Sequence, residues 1–179
     1  MPHAFRAPLP PVPKLNDCST ITLDASSRHE SLRDSEALLL FLSASLLTRP
    51  WALLEMLIAI ASDVPIIAIN APLSRSYDHE DAMVLLTHLD TELELRNPGA
   101  SKLLLDHGVD LCDAAFRLST VMPSIISVDF NPSQSRSNIL ASVLAVVDQI
   151  NIAQPQSAAI PYDPDAQAKW LAARGPPPF

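Results

Sequence analysis

A single carboxylate lies in an otherwise apolar helical segment of this chain, and that setting makes it the first candidate for chemistry. Glu55 is the only acidic residue of the helix predicted over 49–62. Burying an ionised carboxylate without partners is costly, so Glu55 is expected at a rim or beside hydrogen-bond donors. Two hypotheses stay open: Glu55 is a site residue, or it lies on the exposed line of the helix.

Two further side chains have a suggestive position relative to Glu55. Ser43 directly follows an apolar strand predicted over Glu36–Leu42, and open α/β sheets place ligands at the carboxyl ends of their strands. A hydrogen-bonding role at the helix entry is an equal alternative for this serine. Trp51 precedes Glu55 by four residues, which puts both on one face of a helix, although a tryptophan is more often a core residue.

The elements that must position these residues alternate between strand and helix. Apolar runs without alternation are typical of strands covered on both faces, and short connections between alternating elements favour right-handed crossovers and a parallel sheet. We therefore predict a doubly wound α/β domain. Its predicted strands are Ser19–Asp24, Glu36–Leu42, Val64–Asn70 and Ser124–Phe130, and its helices cover 49–62, 79–96, 100–107, 110–121 and 133–152.

Proline content divides the chain into three predicted regions. A proline-rich arm over 1–16 precedes a domain over 17–152, and a proline-rich tail over 153–179 contains one short helix predicted at Asp163–Arg174 with Trp170. With 48% apolar residues and 179 residues in all, the chain is long enough for one good core.

The composition excludes several classes of partner and site. The net charge of −8 argues against nucleic acid, and the apolar runs are too short to cross a membrane. Two isolated cysteines and no signal-like N-terminus favour the cytoplasm. Three glycines are too few for a P-loop or a dinucleotide fingerprint. The acids around His79 are expected to cap a helix, so no metal site and no cofactor are predicted.

The segment from Leu42 to Met56 resembles the strand C and helix C region of TIR (Toll/interleukin-1 receptor) domains. Those domains carry Leu-Ser, a tyrosine three residues after the serine, Trp-Cys eight and nine residues after it, and Glu-Leu four residues after the tryptophan. Ser43, Leu46, Trp51, Ala52 and Glu55 fall at those positions, and Met56 takes the place of the last leucine. Leu46 and Ala52 thus depart from the tyrosine and cysteine of the motif.

The resemblance implies a flavodoxin-like fold, a place in signal transduction and, in some members, hydrolysis of NAD⁺. It implies that Glu55 is catalytic, engaging the nicotinamide ribose, and that Ser43 and Trp51 line the substrate pocket. It also implies association with other TIR domains or with further copies of the chain. The family's first strand has no counterpart in residues 1–16, which predicts about four strands. Either Ser19–Asp24 takes the place beside the strand before Ser43, or the chain is an incomplete gene product and that strand keeps an unpaired edge.

Three hypotheses for function follow. The first is a TIR-like signalling module that acts by association with its own copies or with other TIR domains. The second is an NAD⁺ glycohydrolase that releases nicotinamide, with Glu55 as its catalytic residue. The third is an inactive gene fragment.

Overall fold

The computed structural model describes residues 30–71, 77–160 and 165–177. Within them, a helical turn over 30–33 precedes an alternation of strands and helices. The strands are β1 (Leu38–Leu42), β2 (Ile66–Asn70) and β3 (Ser127–Asp129). The helices are α1 (Pro50–Ala61), α2 (His79–Thr87), α3 (Leu89–Arg96), α4 (Ala100–Asp106), α5 (Leu111–Val121), α6 (Arg136–Ile152) and α7 (Ala166–Ala173).

The three strands form one parallel sheet in the order β1, β2, β3. In its register Leu40 lies beside Ala68 and Ile69 beside Val128. The predicted parallel α/β class is therefore confirmed, and the arrangement is compatible with a flavodoxin-like fold. The fourth predicted strand, Ser19–Asp24, lies outside the described residues.

The main core fills the space between one face of the sheet and helices α1 to α5. Leu40 and Ile66 point into it from the strands, and Leu53, Leu86 and Leu118 meet them from the helices. Side chains of β2 alternate between the two faces, so Ile67 and Ile69 point to the opposite face, where they are also buried. Helix α6 contacts β2 and β3. In the part of the chain described here, no helix is long and apolar enough to cross a bilayer.

The helix predicted over 79–96 is two helices in the structure, and the single-helix prediction was wrong. His88 interrupts it with φ −116° and ψ 37°. Thr87 and His88 are weak helix formers, and the Thr91 hydroxyl donates to the His88 carbonyl oxygen at 3.1 Å. That local hydrogen bond competes with a continuous helix. The apolar spacing that predicted one helix, at Leu85, Leu86, Leu89 and Leu93, continues across the break unchanged.

Helix α6 starts at Arg136 rather than at the predicted Ser133, because the Ser135 side chain caps it by accepting from Asn138 N at 3.4 Å.

The apolar residues of α6 that are spaced along one face of the helix, its apolar stripe, point away from the sheet. Ile139 and Ile150 are half-buried, whereas the remaining apolar positions of the stripe are exposed. Those exposed residues are Leu140, Val143, Leu144 and Val147.

A glutamine side chain completes the sheet at the start of β2. β3 begins only beside Ala68, so the backbone groups of Ile66 would lack partners on that side. The Gln156 amide supplies both: its Oε1 accepts from Ile66 N at 2.7 Å, and its Nε2 donates to Ile66 O at 3.0 Å. The segment after α6 is thus tied to the central strand.

The C-terminal helix α7 docks on the domain through an aromatic contact and an ion pair. The Trp170 ring meets Phe116 of α5 edge-on, with the ring centroids 5.8 Å apart. Arg174 donates from Nη1 and Nη2 to the two carboxylate oxygens of Asp90, at 2.9 and 2.8 Å. Because a bidentate pair combines charge with geometry, these contacts hold the tail against α3 and α5.

The Asp90 to Arg174 pair predicts an acid-sensitive tail. The hydrogen bond from Arg174 lowers the pKa of Asp90 below its usual 3.8. A depressed pKa in the folded state gives a stabilisation that is fully present above the usual value and is lost as the pH falls through the lowered one. We expect Trp170 fluorescence, in a Trp51→Phe background, to stay constant from neutral pH to about pH 4 and to report undocking below it.

Asp90→Asn should weaken docking of the tail by about 1 to 3 kcal/mol at neutral pH and flatten its acid dependence. Asp113→Asn is the matched control, since Asp113 forms its ion pair within α5, with Arg117, and both partners are exposed. An unchanged acid transition in Asp90→Asn would show that another group controls docking.

Candidate functional site

The loop between β1 and α1 is held in place by hydrogen bonds within it and by one from α3. Leu46 N donates to Ser43 O at 3.1 Å, and the Thr48 hydroxyl donates to Ser45 O at 3.0 Å. Asn97 at the end of α3 donates from Nδ2 to Thr48 O at 2.8 Å. Ser43, the first residue after β1, therefore has a fixed position at the carboxyl end of the strand.

Helix α1 begins with Pro50 in its first turn, a position that suits proline because no intrahelical donor is lost there. One of its faces is fully buried in the core through Leu53 and Met56. The neighbouring face carries Ala52 and Glu55. Since Glu55 lies between the core and the solvent, it is half-buried.

A cavity of about 690 Å³ lies along β1 and α1, and it brings Ser43 and Glu55 together. Leu39 and Phe41 contribute to it from the strand, and Arg49 contributes from the start of the helix. The other lining residues are Leu38, Leu40, Ala44, Ser45, Leu46 and Ala52. A carboxylate, a hydroxyl and a guanidinium thus line one apolar-walled cavity.

The third predicted site residue, Trp51, lies elsewhere. It is not one of the cavity-lining residues, and its ring packs at 5.1 Å from the ring of His107, which follows α4. A spacing of four residues on a helix separates Trp51 and Glu55 by about 40° around the axis, and the cavity reaches only the second of them. The roles of Glu55, Ser43 and Trp51 in binding or catalysis stay predictions.

Arg49 is the cavity residue that sequence reasoning missed as a site candidate. It immediately precedes Pro50, which made it look like a helix-start residue only. Its place in the sequence could have identified it as a site candidate. It lies in the connection that follows the first predicted buried strand, and such connections start at the ligand-binding edge of a parallel sheet.

A second cavity, of about 330 Å³, is lined by Leu42 and Asn70 at the carboxyl ends of β1 and β2 and by Ser127 at the start of β3. Asn70 also joins β2 to the end of β3, with its Nδ2 donating to Asp129 Oδ1 at 2.8 Å. Tyr77 lines this cavity, and its hydroxyl is buried with no hydrogen-bond partner among the described residues. Burial, together with the nearby Asp78 charge, raises the pKa of Tyr77 to about 12, so this phenol is neutral at physiological pH.

The acidic cluster around His79 caps α2, as predicted. The Asp78 carboxylate accepts from Glu80 N at 2.9 Å and from Asp81 N at 3.2 Å. Within the residues that the structure describes, no group of three or more His, Cys, Asp or Glu side chains could hold a metal ion. The β1 and α1 cavity is therefore the candidate site with the fullest set of reactive groups.

That set limits the chemistry the cavity can support. A half-buried carboxylate stabilises positive charge that develops in a transition state, a hydroxyl donates or accepts a hydrogen bond, and a guanidinium binds anionic oxygens. An organic molecule with a cationic centre near Glu55 and an anionic group near Arg49 fits this distribution of charge. No protein-family model, curated protein or solved structure matches the chain.

Proposed function

We propose that the chain is a TIR-like signalling module that acts by associating with its own copies or with other TIR domains. The observation that supports this proposal is the open edge of β1. Only β2 pairs with β1 among the described residues, and the strand carries the exposed apolar side chains Leu39 and Phe41. An apolar sheet edge that no described strand pairs with is a surface that another chain can pair with.

Helix α6 offers a second apolar surface. Its stripe of Leu140, Val143, Leu144 and Val147 is exposed along two turns, and spacings of three and four residues place these side chains on one face. Exposed apolar residues in a contiguous row are typical of interaction sites. Two such surfaces on a small chain support association as the primary activity.

The experiment that tests this function is sedimentation equilibrium of the full chain at rising concentration, alone and mixed with a separate TIR domain. Association at micromolar concentration, with itself or with the TIR domain, is the expected result. A chain that stays monomeric in both settings would contradict the proposal and leave the hypotheses of an NAD⁺ glycohydrolase and of an inactive fragment.

A second candidate function is cleavage of NAD⁺ to release nicotinamide, and the shared cavity of Ser43 and Glu55 favours it. In this reaction the bond between the ribose carbon and the nicotinamide nitrogen breaks, and nicotinamide leaves with the electron pair. The ribose then carries oxocarbenium character until water adds to it. Glu55 would stabilise that positive charge, and Arg49 lies in the same cavity as a partner for the diphosphate.

A further inference from the structure

The open edge of β1 has a defined hydrogen-bonding pattern. Leu38 N donates to Pro65 O at 2.8 Å, so Leu38 directs its backbone groups toward β2. Successive residues of a strand direct these groups to opposite sides. Leu40 and Leu42 therefore also face β2, while the N–H and C=O groups of Leu39 and Phe41 point to the open edge.

In the described part of the chain, a cavity lies beside this edge. The cavity that holds Ser43 and Glu55 extends along β1 from Leu38 to Phe41, with α1 as its opposite wall. Two exposed apolar side chains border it on one face of the sheet, Leu39 at 39% and Phe41 at 53% exposure. A groove beside backbone groups that pair with none of the described strands is the geometry used in strand addition.

The sequence of β1 is self-complementary in the antiparallel sense. The strand reads LLLFL, and an antiparallel pairing centred on Leu40 sets Leu39 opposite Phe41 of a second copy, and Phe41 opposite its Leu39. Both of these residues direct their backbone groups outward, so the two pairs are hydrogen-bonded pairs. Every other cross-strand pair in this register joins leucine to leucine, and such apolar pairs stabilise a sheet.

The charges around the groove fit a second copy as well. β1 carries no charged residue, and the groove wall holds one basic residue, Arg49, and one acidic residue, Glu55. A two-fold axis brings Arg49 and Glu55 of each copy to the interface, so the positive and negative charges there are equal in number. The chain as a whole has a net charge of −8, which opposes association at low salt.

We propose that two copies of the chain pair through their β1 edges, antiparallel, about a two-fold axis that passes beside Leu40. The six strands described in the two copies form one continuous sheet, and Leu39 and Phe41 of both copies meet on a single face. This inference rests on the proposed function, because it names the surface by which one copy recognises another.

The first test replaces Phe41 with lysine in the full chain and measures the dimer dissociation constant by sedimentation equilibrium. In this register each lysine faces Leu39 of the other copy and replaces an apolar cross-strand pair with a charged side chain that has no partner, so Phe41→Lys should weaken the dimer at least about tenfold. Leu105→Lys is the matched control: Leu105 is 56% exposed on α4 and does not line the groove, so its replacement should leave the constant unchanged. Added salt should strengthen the unsubstituted dimer by screening its net charge.

The second test determines the register in which the two β1 strands pair. In a Cys18→Ser, Cys112→Ser background, the double substitution Leu39→Cys and Phe41→Cys places the cysteines about 5.5 Å apart between Cα atoms across the interface, within disulfide range. Oxidation should therefore give covalent dimers, whereas Leu39→Cys alone places the two cysteines two residues out of register and should give few.

The outcomes separate this inference from the proposed function. If Phe41→Lys does not weaken the dimer, or if the double cysteine variant does not cross-link, the β1 interface is wrong. The dimer then forms through another surface, and the proposed function stands. A chain that is monomeric alone overturns the interface too, and its association with a separate TIR domain then decides the proposed function. Circular dichroism spectra confirm that each variant is folded.

Discussion

Arg96→Met should lower the free energy of unfolding by about 3 to 5 kcal/mol, because it leaves a buried carboxylate without its counter-charge. Glu92 of α3 is 2% exposed. Its Oε2 accepts from Arg96 Nε at 3.2 Å, and its Oε1 is buried with no hydrogen-bond partner among the described residues. The guanidinium is therefore the one group seen to compensate this buried acid, and urea-induced unfolding measures the loss.

The chain contains a control with the same spacing. Arg117 pairs with Asp113 four residues upstream at 2.7 Å, just as Arg96 pairs with Glu92, but both partners are well exposed. Arg117→Met should cost less than about 1 kcal/mol. The contact from Arg96 Nη1 to the exposed Asp81, at 2.6 Å, adds little to the difference.

A double variant identifies the cause of the loss. Arg96→Met combined with Glu92→Leu removes both charges, and replacing a buried ion pair with apolar residues of similar size is often neutral. Most of the lost stability should therefore return. Equal losses in Arg96→Met and Arg117→Met, or no recovery in the double variant, would mean that the buried charge is not the cause.

The central strand was predictable because burial on both faces leaves a clear mark on the sequence. Val64–Asn70 reads as a charge-free apolar run, and β2 occupies Ile66–Asn70 at the centre of the sheet. β1 and β3 fall within the predicted Glu36–Leu42 and Ser124–Phe130, but both are shorter than predicted and both have exposed residues, so burial on both faces holds for β2 alone among the described strands.

Other features depended on tertiary contacts that periodicity does not encode. The stripe of α6 has helical spacing whether it faces the sheet or the solvent, and the structure shows that it faces the solvent. Glu92 looks like an ordinary polar helix residue, and its burial follows from the packing of α3 against α4 and α5. Gln156 likewise has no local signal, since its partner Ile66 is distant in sequence.

The candidate site was predictable in part. Ser43 could be placed at the rim of the sheet from topology alone, because it follows a parallel strand directly. Glu55 could be placed near it only through the resemblance to TIR domains, and the cavity now joins the two. Helical spacing put Trp51 on the same side as Glu55, but the contact with His107 holds its ring away from the cavity lining.

Glu55→Gln should reduce nicotinamide release from NAD⁺ by at least about a hundredfold if the cavity is a glycohydrolase site, since removing one preorganised electrostatic group from an active site typically has an effect of this size. The amide keeps the shape of the side chain but carries no charge to oppose the developing oxocarbenium ion. Because stabilisation in the transition state is lost, kcat should fall while KM changes little.

The controls assign any effect to the cavity. Glu80→Gln removes an exposed carboxylate from α2 and should leave turnover unchanged. Ser43→Ala should reduce turnover less than Glu55→Gln, because a neutral hydroxyl contributes a weaker interaction than a carboxylate. Turnover that survives Glu55→Gln would remove the catalytic assignment. Absence of turnover in the unsubstituted chain would leave association through the β1 edge as the function of this cavity, with its walls serving as the groove for a strand.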